Sequence, residues 1–253
     1  MLKKIKNPLR FAATMVPIAA IGGVFTIIYT MNSYGSTVRQ ELISASDGYM
    51  ALLFSGALQA VIFTSICGFF GYILSDKTGL MRPFKFEKKP LLSTAIATLI
   101  SGILFGLDYW LFGQTIPGLA ETYEIQVTPA SFISSIFYGG VVEEVLMRLF
   151  LMSLFAFLLW KIFVRKHDKA HITQSVFIVA NILAAALFAA GHLPATISTF
   201  GTLTPIIVFR CFLYNGGLGL VFGGLYHKYG IHYAMFAHAG VHIVSKIIWL
   251  LFI

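Results

Sequence analysis

The sequence predicts an all-α fold, a polytopic bundle of seven to eight transmembrane helices with a polar site inside the membrane. The first observation is composition, because 58% of the 253 residues are hydrophobic and only 11% are charged. The second is that several apolar runs reach the roughly 20 residues needed to cross a hydrocarbon core of about 30 Å. None of them alternates like a barrel strand, and lipid leaves no partner for unpaired backbone groups, so each run should be a helix.

Seven apolar runs follow one another along the chain. They are Phe11–Met31, Gly48–Leu74, Leu91–Phe112, Ser131–Phe163, Ser175–His192, Pro205–Tyr226 and Ile231–Ile253. The basic opening MLKKIKNPLRF resembles the start of a signal peptide, but the run behind it is long and lacks a clear cleavage site, so we expect a retained helix. No internal repeat is visible. We predict one transmembrane domain over residues 1–253, with a motif-bearing core at about 131–253.

The basic residues indicate the orientation, because cytoplasmic loops near membrane spans are enriched in Lys and Arg. Most of the 18 basic residues fall in four places, namely Lys3, Lys4, Lys6 and Arg10, then Lys77, Arg82, Lys85, Lys88 and Lys89, then Lys161, Arg165, Lys166 and Lys169, and finally Lys228. The intervening loops contain Glu41, Asp47, Glu121 and Glu124. We therefore predict a multi-pass protein of the cell membrane with a cytoplasmic N-terminus. The net charge of +8 suits anionic lipid headgroups, and no nucleic-acid partner is expected.

Few ionisable residues remain within the apolar runs, where each costs several kcal/mol on most scales unless it has a partner or a function. They are Asp108, Glu143, Glu144, Arg148, Arg210 and Lys246, with the histidines His192, His238 and His242. Residues four apart share a helix face, so Glu144 can pair with Arg148. Glu143 points about 100° away and has no sequence-local cation. A desolvated carboxylate of that kind suits a general base.

Two interpretations of this cluster are open. The first is a structural cluster of polar side chains between helices. The two glutamates and Arg148, taken alone, fit this interpretation as well as they fit a catalytic site. The histidines favour the second, a site built in the bundle core, because His238 and His242 lie one turn apart on one face and His192 ends another apolar run. Asp108, Arg210 and Lys246 are interpreted as paired or snorkelling residues, and no catalytic role is assigned to them.

Three motifs carry a resemblance to a known family. EEVLMR matches an EExxxR motif, FAAGH matches FxxxH, and HAGVH lies where an HxxxN-like motif belongs. In this order, on the late helices of a multi-spanning chain, the motifs resemble the CAAX protease and bacteriocin-processing family, also called the abortive-infection family. The first three helices add only hydrophobicity to the resemblance.

The resemblance implies a glutamate-type intramembrane endopeptidase that cleaves near the C-terminus of a peptide or membrane-associated protein, in a cavity that opens toward the cytosol. By motif, Glu143 would deprotonate the attacking water and His192 would help to hold it. His238 would donate to the oxyanion, helped by the residue at the Asn position, while Glu144 and Arg148 would support the geometry. Peptide hydrolysis needs such a base and such donors.

His242 departs from the family pattern, which most often has Asn at this position. A neutral imidazole can still donate one hydrogen bond, so we assign His242 to the oxyanion and predict no cofactor and no metal ligands. The alternatives are a packing histidine and a zinc ligand, since a Glu and three histidines could supply three ligands and leave a position for water.

Two other classes of protein are considered. Some relatives are non-catalytic membrane partners of sensor kinases or cell-wall enzymes, which would need the fold but not the base. A proton-coupled transporter could use the same carboxylates, but neither a two-half repeat nor paired broken helices is visible. We favour the peptidase, acting on a peptide or membrane-protein substrate within the lipid bilayer, with the partner role as the alternative.

Helix depths raise one difficulty. At about 1.5 Å per residue, His238 lies about 10 Å from the inner end of its helix, whereas Glu143 and His192 lie about 27 Å from theirs. Either the fourth and fifth helices overhang or tilt, or an eighth helix has been missed. Family members usually have about eight helices, so we expect an eighth within Ala195–Tyr226.

Overall fold

A computed structural model of the chain describes residues 2–164 and 172–253, with side chains from Lys6 onward. Within those ranges the chain is almost entirely helical and contains no strand. The helices are α1 (Leu2–Ser33), α2 (Ser36–Ala45), α3 (Tyr49–Thr78), α4 (Lys88–Gly106), α5 (Asp108–Phe112), α6 (Thr122–Gln126), α7 (Pro129–Ser134), α8 (Ser153–Phe163), α9 (Gln174–Gly191), α10 (Leu193–Phe200), α11 (Pro205–Cys211), α12 (Leu218–Tyr229) and α13 (Ile231–Phe252). Three further segments are wider π-helices, namely π1 (Ser135–Glu143), π2 (Val145–Met152) and π3 (Phe212–Gly217).

Seven helical segments in the described ranges are long and apolar enough to span a membrane. They are Lys6–Ser33, Tyr49–Thr78, Lys88–Phe112, Pro129–Phe163, Gln174–Phe200, Pro205–Tyr229 and Ile231–Phe252, and we call them spans 1 to 7. The predicted helical bundle and the multi-pass character are therefore confirmed. The eighth helix expected within Ala195–Tyr226 is not found, because α10 continues span 5 to Phe200 and α11 begins span 6 at Pro205.

Span 4 lies at the centre of the bundle, where it packs mainly against spans 1, 2, 5 and 7, while span 3 packs against span 7. Its π-helices contact α1, α3, α9 and α13. Glycines allow the closest approaches: a Cβ on Gly140 would come within 2.6 Å of the Ala239 Cβ, and one on Gly71 within 2.9 Å of the Leu149 backbone. Small residues at such positions are typical of membrane helix packing.

The connections between spans place the basic residues at one end of the bundle. The Phe11 and Tyr72 rings lie 5.9 Å apart, so spans 1 and 2 are antiparallel. The Lys85 carbonyl lies 3.1 Å from His232 Nε2, which brings the loop before span 3 to the start of span 7. Only Gly230, with φ of +110°, separates spans 6 and 7, and this left-handed conformation favours glycine.

The resulting bundle has a basic end and an acidic end. The basic end carries Lys6, Arg10, Lys77, Arg82, Lys85, Lys88, Lys89, Lys161 and Lys228, whereas the opposite end carries Glu41, Asp47, Glu121 and Glu124 together with Arg39. The predicted cytoplasmic residues Arg165, Lys166 and Lys169 lie outside the described residues, as do the side chains of Lys3 and Lys4.

Overhang of span 4 removes the difficulty with the depths of Glu143 and His238. Span 4 contains 35 residues and span 7 contains 22, so span 4 extends beyond the start of span 7 at the basic end. Almost half of span 4 is π-helix, which advances less per residue than an α-helix because each turn contains more residues. Glu143 and His238 are therefore level without an additional helix.

Candidate active site

The site is built from spans 4, 5 and 7, and it brings the predicted glutamates and histidines together. Glu143 ends π1 and Glu144 links it to π2. Glu143 Oε1 lies 4.0 Å from His192 Nε2, and Glu143 Oε2 lies 3.9 Å from His238 Nε2. Both distances are too long for a direct hydrogen bond and suit a bridging water.

Glu143 and Glu144 occupy different environments although they are adjacent in sequence. The Glu144 side chain is fully buried, whereas that of Glu143 is 21% exposed and lines a cavity. Arg148 Nη1 lies 3.0 Å from Glu144 Oε1, so the structure contains the ion pair expected from the spacing. Glu143 forms no ion pair with a Lys or Arg within the described ranges.

Arg148 is held by aromatic rings and by a glycine. Its guanidinium carbon lies 4.7 Å from the Phe188 ring centroid and 5.5 Å from that of Phe222, and such stacking favours a cation. A Cβ on Gly219 would come within 3.0 Å of Arg148 Nη2. The lack of a side chain at Gly219 therefore makes room for the guanidinium.

His238 is oriented from two sides. Its Nδ1 lies 2.8 Å from Glu144 Oε1, and its ring stacks on Phe222 with centroids 4.5 Å apart. Because Nδ1 faces Glu144, Nε2 faces Glu143. As an imidazolium, the ring donates hydrogen bonds from both nitrogens. As a neutral ring it donates from Nε2 only if Nδ1 accepts a hydrogen bond from a protonated Glu144.

His192 lies at the break between α9 and α10, where Pro194 begins a new turn. Its Nδ1 lies 2.8 Å from the Phe188 carbonyl oxygen, an acceptor, so Nδ1 carries the proton. In the neutral ring Nε2 is then an acceptor that faces Glu143. The FxxxH spacing therefore has a structural reason, since the Phe188 carbonyl one turn earlier selects the tautomer.

His242 lies one turn beyond His238 and lines the same cavity. The two rings stack with centroids 5.2 Å apart. A Cβ on Gly139 would come within 3.3 Å of His242 Nε2, so Gly139 leaves space for this ring. Within residues 2–164 and 172–253, no group of three or more His, Cys, Asp or Glu side chains is arranged to hold a metal ion.

The cavity beside Glu143 has a volume of about 360 Å³. Span 1 contributes Thr26, Tyr29 and Thr30, while span 5 contributes Phe188, His192 and Ala195 on the other side. Sequence reasoning missed other residues that line it, namely Gln126, Tyr138, Tyr214, Asn215 and Phe222. No sequence signal marked them, because Gln126 lies in the short helix α6 between spans 3 and 4, and the other four residues lie in apolar runs.

A second cavity of about 390 Å³ continues from the first toward the acidic end. The two share Tyr29, Thr30, Gln126 and Ala195, and the second is also lined by Glu121, which lies beyond them in the loop before span 4. Both cavities therefore occupy the half of the bundle opposite the basic loops. The predicted cytoplasmic N-terminus and the implied cytosolic opening are incompatible, because they place opposite ends of the bundle in the cytosol.

Comparison with protein families gives one match. Residues 125–244 match the family described as type II CAAX prenyl endopeptidase, Rce1-like. Comparisons with curated proteins and with solved structures found no match. The matched segment includes all six residues predicted for the site, from Glu143 to His242, and it confirms the resemblance drawn from the three motifs. The chain is accordingly a multi-pass membrane protein with a domain of the CAAX protease family.

Proposed function

We propose that this protein is a glutamate-type intramembrane endopeptidase that hydrolyses a peptide bond near the C-terminus of a membrane-associated peptide or protein. The observation that carries the proposal is the placement of Glu143 in the cavity, with its two carboxylate oxygens 4.0 and 3.9 Å from His192 Nε2 and His238 Nε2. A water molecule between these groups could donate to the Glu143 carboxylate and to His192 Nε2, leaving a lone pair for attack.

The proposed reaction begins when the water oxygen attacks the peptide carbonyl carbon and Glu143 takes the proton. The carbonyl oxygen becomes an oxyanion, which accepts a hydrogen bond from His238 Nε2 and is helped by His242. The C–N bond then breaks, and the proton on Glu143 passes to the leaving amine. The products are a carboxylic acid and an amine.

Glu144 has a positioning role in this proposal. Its contact with His238 Nδ1 at 2.8 Å directs Nε2 toward the reacting carbonyl. For Nε2 to donate, the Glu144 carboxyl and the His238 ring must together hold two protons. Arg148 Nη1 lies 3.0 Å from the same Glu144 oxygen, Oε1, that contacts His238, so the ion pair acts through the orientation of His238.

The surrounding helices suggest how substrate reaches the site. Span 1 packs against α3, α6, α7 and π1, whereas α9 and α10 pack on the other side of the cavity. Spans 1 and 5 form no extended interface with each other in the described part of the chain. A peptide held in the bilayer could enter between them and reach Glu143 without crossing the packed core.

Comparative peptidomics tests the proposed activity. Cells that express the wild-type protein should contain cleavage products that are missing from cells with an equal amount of Glu143→Gln protein. The amide keeps the size and polarity of the carboxylate but cannot take a proton. Identical peptide profiles in the two strains, at matched membrane levels, would reject the proposed activity.

For orientation, we propose that the basic end is cytoplasmic and that both cavities lie toward the outer face of the membrane. Basic residues near membrane spans favour the cytoplasm. This charge pattern is a property of this sequence, whereas the cytosolic opening is implied only by the resemblance to the family. A membrane-impermeant thiol reagent should label Glu121→Cys and Ser198→Cys in intact cells but not Lys85→Cys. The unsubstituted protein, with Cys67 and Cys211, is the control for background labelling. The reverse labelling pattern would place the cavities in the cytosol.

A further inference from the structure

A second polar cluster borders the two cavities, and the proposed reaction does not use it. Lys246 Nζ is buried and donates to the Gln126 carbonyl oxygen at 2.6 Å, to Gln126 Oε1 at 3.2 Å and to Ser131 Oγ at 2.6 Å. Three acceptors match the three protons of an ammonium group. No carboxylate lies within ion-pair distance of Lys246 in residues 2–164 and 172–253.

The orientation of the Gln126 amide follows from these contacts. Because Oε1 accepts from Lys246, the amide nitrogen faces the other way and donates to the Tyr29 hydroxyl at 2.8 Å. Tyr29 then has its own proton free to donate, and the structure shows no acceptor for it among the described residues. Consecutive hydrogen bonds polarise one another, so the Lys246 charge strengthens the Gln126 amide and the Tyr29 hydroxyl as donors.

Both of these donors lie where the cavities meet. Tyr29 and Gln126 line the first cavity with Glu143 and also the second cavity with Glu121. The cavity wall therefore presents a hydroxyl donor and an amide donor, with an unpaired cation behind them. Glu121 is exposed beyond this point, and its negative charge disfavours passage of an anion further along the second cavity.

We propose that Tyr29, Gln126 and Lys246 form a subsite for the C-terminal carboxylate of the peptide that is cleaved. Charged donors behind oriented N–H and O–H groups match the two oxygens of a carboxylate. This inference rests on the proposed peptidase function, and it identifies a specificity determinant for that reaction.

The position of the subsite sets the number of residues beyond the cleaved bond. His238 and Lys246 are eight residues apart on one α-helix, which is about 12 Å along its axis. Along span 4, twelve residues separate Ser131 from Glu143, which is at most about 18 Å at the α-helical rise. An extended peptide covers about 3.3 Å per residue, so the released fragment should contain about four to five residues.

Cleavage assays test both parts of the inference. The full protein in phosphatidylglycerol–phosphatidylcholine vesicles would be given one peptide library with free C-termini and a matched library with C-terminal amides. Mass spectrometry should show fragments of about four to five residues, with the acids cleaved at least tenfold faster than the amides. Tyr29→Phe should reduce this preference several-fold, and Lys246→Met should abolish it. Lys228→Met, at the basic end, is the matched control and should keep it.

A binding measurement separates failure of the subsite from failure of the peptidase. The Glu143→Gln protein should bind N-acetyl-Ala-Ala-Leu as the free acid at least tenfold more tightly than as the amide, as measured by thermal shift. Gln126→Glu should remove the difference between acid and amide, because the new carboxylate would form an ion pair with Lys246. Equal binding of acid and amide, or Glu143-dependent cleavage without preference for either, would overturn the subsite. Selective binding without cleavage would reject the peptidase alone.

Discussion

The described part of the chain contains two buried carboxylate–guanidinium centres, and they differ in how completely their hydrogen bonds are satisfied. Asp108 is fully buried and accepts hydrogen bonds from the Tyr123 hydroxyl at 2.6 Å and from Arg210 Nε at 2.8 and 3.1 Å, with a further bond from Arg210 Nη2. Burial, together with the neighbouring Asp108 carboxylate, raises the pKa of Tyr123, so the Tyr123 hydroxyl remains a donor. This centre is closed.

The centre at Glu144 and Arg148 is open by comparison. Arg148 Nη1 is within 3.0 Å of Glu144 Oε1, but its N–H bonds are not directed as in a hydrogen bond. Glu144 Oε2 and both terminal nitrogens of Arg148 have no hydrogen-bond partner among the described residues. Buried polar atoms without a hydrogen-bond partner are rare in folded proteins. Under the proposed function, the closed ion pair stabilises the fold, whereas the open pair positions His238 for the reaction.

The largest effect on turnover should come from Glu143. We expect Glu143→Gln to lower the rate by about 100-fold to 10,000-fold, the range attributed to general base catalysis, without loss of thermal stability. Turnover and melting temperature of the purified protein check this. Asp108→Asn is the matched carboxylate-to-amide control in the closed centre. If the two variants lost turnover equally per folded molecule, Glu143 would have no special chemical role.

His242 should show the next largest effect, and it also separates the two mechanisms. If His242 donates to the oxyanion, His242→Ala should lower the rate about 100-fold. His242→Asn should then keep much of the activity, because the amide can still donate a hydrogen bond. If His242 is instead a zinc ligand, His242→Asn should lose almost as much activity as His242→Ala. Metal analysis of the purified protein accompanies the rates. About one zinc per chain with an inactive Asn variant would reject the oxyanion assignment.

The turnover rate of each folded molecule, measured beside stability, should distinguish the two ion pairs. Removing one partner of a buried pair typically costs about 3 to 5 kcal/mol, so Asp108→Asn should lower the thermal stability while each folded molecule keeps its turnover rate. Arg148→Ala should lower both, because Glu144 would no longer be held against His238. Unchanged stability in Arg148→Ala would show that the open pair contributes little to folding, and unchanged turnover would contradict the positioning role.

Gly139→Ala should have the smallest effect. The added Cβ would lie 3.3 Å from His242 Nε2, so this ring must shift slightly, whereas the 3.7 Å distance to His238 Nε2 is an ordinary van der Waals contact. We expect a smaller rate loss than in His242→Ala and no change in stability. Gly191→Ala is the control, because no atom lies within 4 Å of its added Cβ. A larger loss than in His242→Ala would mean that Gly139 itself contacts the substrate.

Much of the local chemistry could be predicted from the sequence. Glu144 and Arg148 are four residues apart on a helical segment, so their pairing follows from helix geometry. The different environment of Glu143 follows from its adjacent position. The contacts of Asp108 and Lys246 could not be predicted in the same way, because their partners Arg210 and Gln126 lie 102 and 120 residues away. No local periodicity encodes such distances.

The sequence by itself determined that the chain forms membrane helices, because lipid requires each backbone group to be satisfied within its own segment. It also determined the resemblance of residues 125–244 to the CAAX protease family, since the three motifs are short and local. Only the tertiary structure decided that span 4 overhangs span 7, that the cavities lie at the acidic end, and that Lys246 reaches Gln126. These features depend on where π-helical turns shift the register of span 4 and on which helix faces meet, and both are settled by packing among distant segments.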